Sequence, residues 1–227
     1  RRVLVLEKGP RFRVDEFTGR ELEMAGALYE DAGGFLTADG TMTLAFAHAY
    51  GGSTLVYTGT SLIVPERVIR GWDVPGLGHD DVVARSRKYM AQNHVHYLPP
   101  ERINDNNRLF VTGALAAGYA VEQFPLNLDG CQGSSLCNLG CPNAAKQGTH
   151  RVQLPAAERA GVEVVTRAEV LRLGTDRTLD VRVTPGRAGE KGEPSEWPEG
   201  DYTIRAGMVV LSAGAVGTPA LLLRSGF

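Results

Sequence analysis

The chain has 227 residues, a formal net charge of -2 at pH 7 and 43% hydrophobic residues. This hydrophobic content is enough to bury a core, which argues against a chain that is disordered throughout. The near-neutral charge lacks the concentrated basic face of a nucleic-acid-binding protein, so no nucleic-acid partner is predicted. No apolar run is long enough to span a bilayer. The 28 glycines lie in turn-like positions between apolar runs, which is typical of a β-rich or α/β protein.

A buried strand is predicted at the start of the chain. Residues 3–6 form a continuous β-prone apolar run that ends at Glu7 and the turn Gly9-Pro10. Continuous apolarity indicates a strand covered on both faces, as in a parallel sheet. An acid that closes the second strand of a dinucleotide-binding fold accepts hydrogen bonds from ribose hydroxyls, whereas a solvated acid at a strand end is the alternative. The fingerprint G-x-G-x-x-G is absent from these residues.

The next predicted elements are a helix over residues 16–29 and a loop at Gly51-Gly52-Ser53-Thr54 that leads into a β-like segment. Two glycines allow the backbone to approach a ligand closely, and the N–H and hydroxyl groups that follow can bind an anion. An ordinary turn before a strand is the alternative. Two further helices are predicted over residues 80–93 and 107–118.

The last third of the chain is predicted to contain mainly strands. A helix over residues 149–160 leads into a pair of short strands over residues 162–173. The turn-rich polar residues 185–200 are predicted to form an exposed hairpin tip.

A second buried strand, residues 208–214, is predicted to precede a short C-terminal helix. Thr218 would cap this helix, Pro219 would lie in its first turn, and Gly226 would close it. Helix N-termini attract phosphates through unpaired N–H groups and the helix dipole, so the small-residue turn before the helix is a candidate site for a cofactor diphosphate or adenosine. Plain strand–helix packing, which also favours small residues, is the alternative.

Four stretches, in this order along the chain, resemble the glucose–methanol–choline (GMC) flavoprotein oxidoreductases. VLVLEKG resembles the family's second strand with its ribose-binding acid, and AYGGSTLVYTG resembles its Gly-Gly-Ser flavin loop. CNLGCPNAAKQGT, with the helix and strand after it, is similar to the family's G-C-x-x-G-A-K region. GAVGTPALLLRSG resembles the family's second signature. Together the matches cover most of the chain.

The resemblance implies an α/β fold: part of a Rossmann-like FAD-binding domain with a β-hairpin or meander, and part of an interleaved substrate domain. Residues 1–227 would then be an incomplete FAD-binding domain, within which residues 71–130 would be an insertion on the substrate side. The glycine fingerprint is expected before Arg1, and the family's catalytic histidine with its His or Asn partner is expected after Phe227. No catalytic residue is therefore assigned.

The resemblance also implies cofactor-binding residues. Glu7 would bind the adenosine ribose, and Val170 would meet adenine through its backbone. The residues of the Gly-Gly-Ser loop would line the diphosphate and the ribityl chain of FAD. Two small residues before the C-terminal helix would lie near the adenosine end of the cofactor. The loop residues are Gly51, Gly52, Ser53 and Thr54, and the two small residues are Ala213 and Gly214. Tyr57 departs from the family pattern, since many members have Asn there, and Phe227 stands where an aliphatic residue is usual.

All three cysteines, Cys131, Cys137 and Cys141, are spaced C-x5-C-x3-C. Their odd number argues against a pure disulfide framework. The spacing resembles that of family members, similar to bacterial FAD-dependent glucose dehydrogenases, that hold a [3Fe–4S] cluster with three thiolates. Small buried structural thiols, a zinc site with His150 as fourth ligand, and a disulfide stay open as alternatives.

The function that the resemblance implies is oxidation of an alcohol or sugar CH–OH group, with hydride passing to the flavin of FAD. Electrons would continue to oxygen or to an acceptor such as a cytochrome or quinone, so the expected partners are a small-molecule substrate and an electron-acceptor protein. Two alternatives come from other classes: a lyase that keeps flavin as a structural element on the same scaffold, and a non-catalytic binding module.

Overall fold

The computed structural model describes residues 2–186 and 189–227. The helices of this part of the chain are α1 (Glu21–Leu28), α2 (Glu66–Trp72), α3 (His79–Gln92), α4 (Asp105–Ala116), α5 (Gln153–Arg159) and α6 (Gly214–Ser225). Its strands are β1 (Leu4–Leu6), β2 (Val95–His96), β3 (Leu126–Asn127), β4 (Glu163–Val165), β5 (Ala168–Leu173), β6 (Thr178–Val183) and β7 (Gly200–Arg205). This mixed content confirms the predicted α/β class. None of the helices in the two described ranges is long and apolar enough to cross a membrane.

The N-terminal strand forms as predicted and belongs to a parallel pair. β1 pairs with β4, with Leu4 opposite Glu163 and Leu6 opposite Val165. The ladder continues one residue further, since the Glu7 N–H donates to the Val165 carbonyl at 2.9 Å. The parallel pairing is as predicted, and the side chains of β1 are half-buried among the described residues, with Leu4 and Leu6 packed against the hydrophobic cluster of the sheet. Within the described residues its one strand partner is β4, and its other edge has no strand beside it.

An antiparallel meander of β5, β6 and β7 confirms the predicted hairpin region. Along β6, buried Leu179, Val181 and Val183 alternate with exposed Asp180 and Arg182. This period of two places one face on a core and the other in solvent. The apolar face packs with β4, the first residues of β5 and the C-terminal helix into one hydrophobic cluster.

A second hydrophobic cluster lies under the glycine loop. Met24 and Leu28 of α1 are fully buried, and they pack with Phe17, Leu55 and Val56. α1 is shorter than the predicted helix over residues 16–29, because Gly19 has a φ of 72° and separates it from a short 3-10 turn. Its packing places α1 directly against the loop that the sequence singled out.

The segment after the paired glycines corrects one prediction. Gly52–Leu55 forms a 3-10 turn, not the start of a β-like segment. Further along, the described residues show only an isolated bridge between Thr60 and Leu126. Leu55 and Val56 are adjacent in sequence, and both pack into the same cluster as α1. In a strand, adjacent side chains would point to opposite faces, so this apolar pair does not indicate a strand.

The C-terminal region corrects two further predictions. Residues 208–212 do not form a strand, because no strand in the described residues lies beside them and Val210 is 77% exposed. α6 begins at Gly214, four residues before the predicted cap at Thr218, so Pro219 lies inside the helix. Pro219 lacks the N–H that would donate within the helix, and Leu221 is the residue of this helix that is buried. Gly226 closes the helix with φ 85°, as predicted.

The polar loop after β6 folds back on the body of the protein, so its described part is not an exposed tip. The buried Arg167 donates through Nε to the Glu193 carbonyl at 2.9 Å and pairs with Glu190 at 3.0 Å. Ser195 Oγ donates to the Thr166 carbonyl at 2.7 Å. A buried guanidinium needs such partners, and this loop supplies them. Positions 187 and 188 lie outside the described residues.

Candidate functional site

Glu7 lies where β1 ends, as the sequence predicts, and it is half-buried. Its Oε1 accepts a hydrogen bond from the Gly9 N–H at 2.7 Å, and its backbone carbonyl accepts one from the Ala168 N–H at 2.8 Å. Burial raises the pKa of the carboxyl group from 4.5 to about 7, against the smaller lowering by the Gly9 hydrogen bond. The side chain is therefore a partly desolvated acceptor that ionises near neutral pH.

Gly9 allows a close backbone contact between the end of β1 and the segment that leads into the glycine loop. A Cβ atom at Gly9 would lie 2.1 Å from the His48 carbonyl oxygen, so no larger residue fits this contact. The Tyr50 N–H donates to the Pro10 carbonyl at 3.0 Å, which continues the contact to the residue before the paired glycines. The structure therefore brings the backbone of the Glu7 region and that of the glycine loop together, although they are more than 40 residues apart in sequence.

The two glycines of the loop have different structural roles. Gly51 has φ 100°, and a Cβ there would lie 2.6 Å from His150 Cβ and 2.9 Å from the His150 nitrogen. Gly52 has φ 55°, and a Cβ there would meet nothing within 4 Å. The small size of Gly51 is thus required by packing against the protein itself. Only Gly52 faces open space where a ligand could approach.

The hydroxyl groups of the loop are engaged within the protein. Ser53 Oγ accepts from the Ala47 N–H at 3.1 Å. Thr54 Oγ1 donates to the Gly51 carbonyl at 2.7 Å and accepts from the Thr149 N–H at 3.0 Å. These bonds hold the loop in shape and tie it to the segment after the cysteines, so the two side chains fix the backbone around Gly52.

Tyr50 is fixed by a charged pair behind the loop. Its hydroxyl donates to Glu158 Oε2 at 2.7 Å, and the same carboxylate accepts from the Arg11 guanidinium. The guanidinium carbon lies 4.0 Å from the centre of the Tyr50 ring. These contacts, together with part of His150, line a cavity of about 220 Å³. The contacts with Arg11 and Glu158 hold Tyr50 in place directly before Gly51. The sequence did not indicate these contacts, because the three residues are far apart in the chain.

Lys146 is a second feature that sequence reasoning missed. Its side chain is 0% exposed, and its Nζ donates to the Tyr57 carbonyl at 2.7 Å and to the Cys137 carbonyl. Burial lowers its pKa from 10.5 to about 8. A buried ammonium group thus joins the glycine loop to the cysteine segment through two backbone carbonyls. One sequence feature could have indicated this role. Lys146 is the lysine of the stretch that is similar to G-C-x-x-G-A-K, and the hydrophobic pattern of that stretch predicts neither a helix nor a strand.

The three cysteines are free and half-buried. Cys131 and Cys141 each accept a weak hydrogen bond from a nearby backbone N–H, Gly133 at 3.4 Å and Ala145 at 3.3 Å. Burial raises the pKa of the Cys137 thiol, against a lowering by the nearby Lys146. Across residues 2–186 and 189–227, no three His, Cys, Asp or Glu side chains are grouped so that they could hold a metal ion. Neither the predicted three-thiolate cluster nor the zinc alternative with His150 thus has a grouped set of ligands in the described residues, and the role of the three cysteines stays a prediction.

Val170, the predicted adenine contact, lies on the strand that is hydrogen-bonded to Glu7. Val170 is on β5, two residues after Ala168, whose N–H bonds to Glu7. The Val170 carbonyl accepts from the Arg224 guanidinium near the end of α6. This carbonyl oxygen therefore already has one donor, and its second lone pair can still accept from a ligand.

Ala213 and Gly214 lie at the opposite end of α6 and are exposed. The C-terminal end of the helix is anchored on β5, where Ser225 Oγ accepts from the Leu173 N–H at 2.9 Å. A helix of this length extends about 18 Å, so the anchored end and the two small residues are well separated. Their position next to the cofactor stays a prediction.

Comparisons with known proteins show which proteins the chain resembles in sequence and in fold. The sequence profile of a family described as GMC oxidoreductase matches residues 25–227. An uncharacterised GMC-type oxidoreductase of Mycobacterium tuberculosis is 34% identical over 232 residues, which are 99% of this chain and 35% of that protein. A long-chain-alcohol oxidase of Arabidopsis thaliana is 29% identical over 244 residues, covering 99% of this chain and 31% of that protein. The chain thus spans about a third of the length of these curated relatives.

A solved structure shares the fold. The crystal structure of pyridoxine 4-oxidase from Mesorbium loti superimposes with a TM-score of 0.66 and 18% sequence identity. The match covers 99% of this chain and 47% of that one. At this identity the likeness describes the fold and not the substrate.

Proposed function

Because the chain belongs to the GMC oxidoreductase family, which is generally FAD-binding, we propose that the protein carrying it oxidises the CH–OH group of an alcohol with FAD as cofactor. The observation that supports this most is the contact between the Glu7 region and the glycine loop through Gly9. It places a partly desolvated carboxyl group and an open glycine on neighbouring backbone segments. A ligand with both hydroxyl and phosphate groups suits such a pair.

Glu7 is the proposed ribose-binding residue. One oxygen of its carboxylate accepts from Gly9, and no other hydrogen bond to this side chain is found in the described part of the chain. The second oxygen can accept from a ribose hydroxyl. The Gly9 bond meanwhile holds the group in place. When ionised, Glu7 makes charge-assisted bonds, which are stronger than neutral ones.

The glycine loop is the proposed cradle for the phosphates and the ribityl chain. Gly52 leaves room for close approach, whereas Ser53 and Thr54 stabilise the loop around it. Gly51 contributes by packing on His150, and Val170, Ala213 and Gly214 are proposed for the adenosine end. When bound, FAD supplies the acceptor for the hydride that leaves the substrate carbon. The chain's own residues bind and orient it.

The proposed substrate is an alcohol and the proposed electron acceptor is oxygen. Both are supported by the named activity of a relative, the long-chain-alcohol oxidase of Arabidopsis thaliana. A sugar substrate and a cytochrome, quinone or acceptor protein are the alternatives that the resemblance implies. Oxygen consumption with and without an added artificial acceptor separates the two routes.

Iron–sulfur chemistry is not part of the proposal, because the cysteines are not grouped as metal ligands in the described residues. Anaerobic purification of the full-length protein, followed by iron and labile-sulfide analysis and low-temperature EPR, tests this point. We expect no iron. A stoichiometric iron content with a cluster signal would restore the three cysteines as ligands.

The deciding experiment is an anaerobic titration of the full-length protein with alcohols, followed in the visible flavin band. We expect a bound flavin that bleaches on addition of substrate and recovers its colour with oxygen. Turnover without bleaching would favour a lyase that keeps flavin as a structural element. A colourless, folded protein that binds no FAD would favour a binding module.

A further inference from the structure

Glu30 lies two residues after the end of α1, beside the segment that leads into the glycine loop. The Glu30 N–H donates to the Phe46 carbonyl at 3.0 Å, and the His48 N–H donates to the Leu28 carbonyl at 3.1 Å. An isolated antiparallel bridge lies between these two bonds. The backbone of Glu30 is therefore held against the residues that precede the paired glycines.

The Glu30 carboxylate contacts both segments that form the candidate cofactor site. Its Oε1 accepts from Lys8 Nζ at 2.7 Å. Its Oε2 lies 3.2 Å from His48 Nδ1, and the tautomer of His48 that carries a proton on Nδ1 donates to it. No other partner of this buried nitrogen is found in the described part of the chain. One carboxylate thus joins the residue after Glu7 to a residue three positions before Gly51.

The same two segments meet through their backbones at Gly9, directly after Lys8. A Cβ atom at Gly9 would overlap the His48 carbonyl oxygen, so the two backbones are already as close as a glycine allows. The Glu30 carboxylate adds a polar bridge on the side-chain side of the same contact, because it reaches the ring of His48 and the ammonium group of Lys8.

The two halves of this bridge differ in their exposure to water. The side chains of Glu30 and His48 are 22% and 28% exposed, whereas that of Lys8 is 48% exposed. Salt screens exposed charges more than buried ones. We therefore expect the contact with Lys8 to weaken at high ionic strength and the contact with His48 to persist.

The turn that follows Glu30 has an unfavourable backbone conformation. Asp31 and Ala32 have φ 47° and φ 54°, in the left-handed region that residues other than glycine avoid. Such conformations persist where the surrounding structure over-determines them, and they cluster at ligand-binding and active sites. The contacts of Glu30 hold the chain at the residue where this turn begins.

We propose that Glu30 is a positioning residue for FAD binding, and that its carboxylate, through Lys8 and His48, sets the separation between Glu7 and the glycine loop. This inference rests on the proposed function and adds a residue that acts through its neighbours. A ligand that is bound by two segments gains affinity when their separation is set before it binds.

The test measures the Kd for FAD of the full-length protein after removal of its flavin, by flavin fluorescence. Glu30→Gln should raise this Kd by about tenfold, because a charged acceptor shared by two donors becomes a neutral amide. Glu21→Gln removes the same charge from an exposed position of α1 and should leave the Kd unchanged. Urea unfolding of each flavin-free variant establishes that folded proteins are compared.

Lys8 shows whether Glu30 acts through its neighbours. At low ionic strength, Lys8→Met should raise the Kd by about threefold, and Lys8→Arg, which keeps the charge, should bind FAD as the wild-type protein does. In the Glu30→Gln background, Lys8→Met should have little further effect, because its partner is already lost. In about 0.5 M salt, the effect of Lys8→Met should nearly vanish, whereas that of Glu30→Gln should persist through His48.

The outcomes separate this inference from the function on which it rests. An unchanged Kd in Glu30→Gln, an equal loss in Glu21→Gln, or a Lys8→Met effect that is as large without the Glu30 carboxylate as with it would overturn the positioning role while leaving FAD binding intact. If Glu30→Gln does not fold, Glu30→Asp, which keeps the charge but shortens the side chain, takes its place with the same expected loss. A full-length wild-type protein that binds no FAD would instead overturn the proposed function, and the role of Glu30 with it.

Discussion

Two regions of this molecule are stabilised in opposite ways. In the sheet of β5, β6 and β7, the buried side chains are aliphatic and the backbone groups bond to neighbouring strands. Around the glycine loop, the backbone is irregular and the fully buried residues include Lys146 and Asn127. Asn127 Nδ2 donates to the Gln147 carbonyl at 2.8 Å, much as Lys146 donates to two other carbonyls.

The difference follows from how the backbone hydrogen-bonding groups are satisfied in each region. Strands satisfy their own N–H and C=O groups, so the side chains are free to be apolar. An irregular loop leaves carbonyls without backbone partners, and when it is buried, polar side chains must supply the donors. The region that carries the candidate cofactor loop therefore depends on a few specific polar residues, whereas the sheet depends on the summed burial of many apolar ones.

The largest expected effect that tests this contrast comes from Lys146→Met in the full-length protein. Removing the ammonium group leaves the Tyr57 and Cys137 carbonyls buried without a donor, so we expect a loss of about 3 kcal/mol in the free energy of unfolding. Urea unfolding followed by flavin and tryptophan fluorescence measures it. Lys88→Met, at an exposed position of α3, should change stability by less than about 0.5 kcal/mol. Equal small effects in the two variants would show that Lys146 does not support the loop.

The paired glycines give the next effect and distinguish packing from ligand approach. Gly51→Ala should cost about 2–3 kcal/mol, because the new methyl group would overlap His150 in an already left-handed backbone. Gly52→Ala should cost only about 1 kcal/mol of backbone strain, because its Cβ meets open space. If Gly52 faces FAD, its variant should nevertheless lose FAD affinity well beyond its loss of stability. Equal stability losses for the two variants would contradict the different roles assigned here.

The sheet is tested by Val181→Ala, with Val210→Ala as its control. Val181 is 1% exposed, so losing two methyl groups should cost about 2 kcal/mol. The exposed Val210 should contribute almost nothing in the described arrangement. Because the sheet sums many apolar contacts, Val181→Ala should lower the unfolding temperature without lowering FAD affinity. A specific loss of FAD by this variant would show that the two regions are not independent.

The smallest expected effect is the pH dependence associated with Glu7. Because its pKa is raised from 4.5 to about 7, the folded state holds this proton more tightly than the unfolded state does. Its favourable contribution is complete below pH 4.5 and is lost as pH rises through 7. Solvent that reaches the half-buried carboxyl group screens part of this contribution. Glu7→Gln should remove this slope from unfolding curves measured between pH 5 and 8.

Ribose binding by the ionised form would give the opposite trend for FAD. The affinity of the wild-type protein should rise between pH 6 and 8 as Glu7 ionises, and the affinity of Glu7→Gln should be lower and flatter. A flavin fluorescence titration across this range measures both. An affinity that is independent of pH in the wild-type protein would argue against Glu7 as the ribose ligand.

Local patterns in the sequence were sufficient for the elements whose own residues carry the signal. The apolar run of β1 and the predicted helices over residues 80–93 and 107–118, which are α3 and α4, all form within two residues of the prediction. Gly226 likewise closes α6 because a left-handed glycine ends a helix whatever surrounds it. The family resemblance rested on such short stretches as well, and the comparison with known proteins confirmed it.

Contacts between distant residues decided the rest. Residues 208–212 have strand-forming composition but no neighbouring strand in the described chain, and hydrogen bonds to a neighbour are what make a strand. Gly51 is small because His150 lies against it, and Lys146 is buried because two carbonyls from separate segments need its protons. The cysteines are close in sequence but are not grouped as metal ligands, because the direction of a side chain depends on the folded backbone and not on spacing alone.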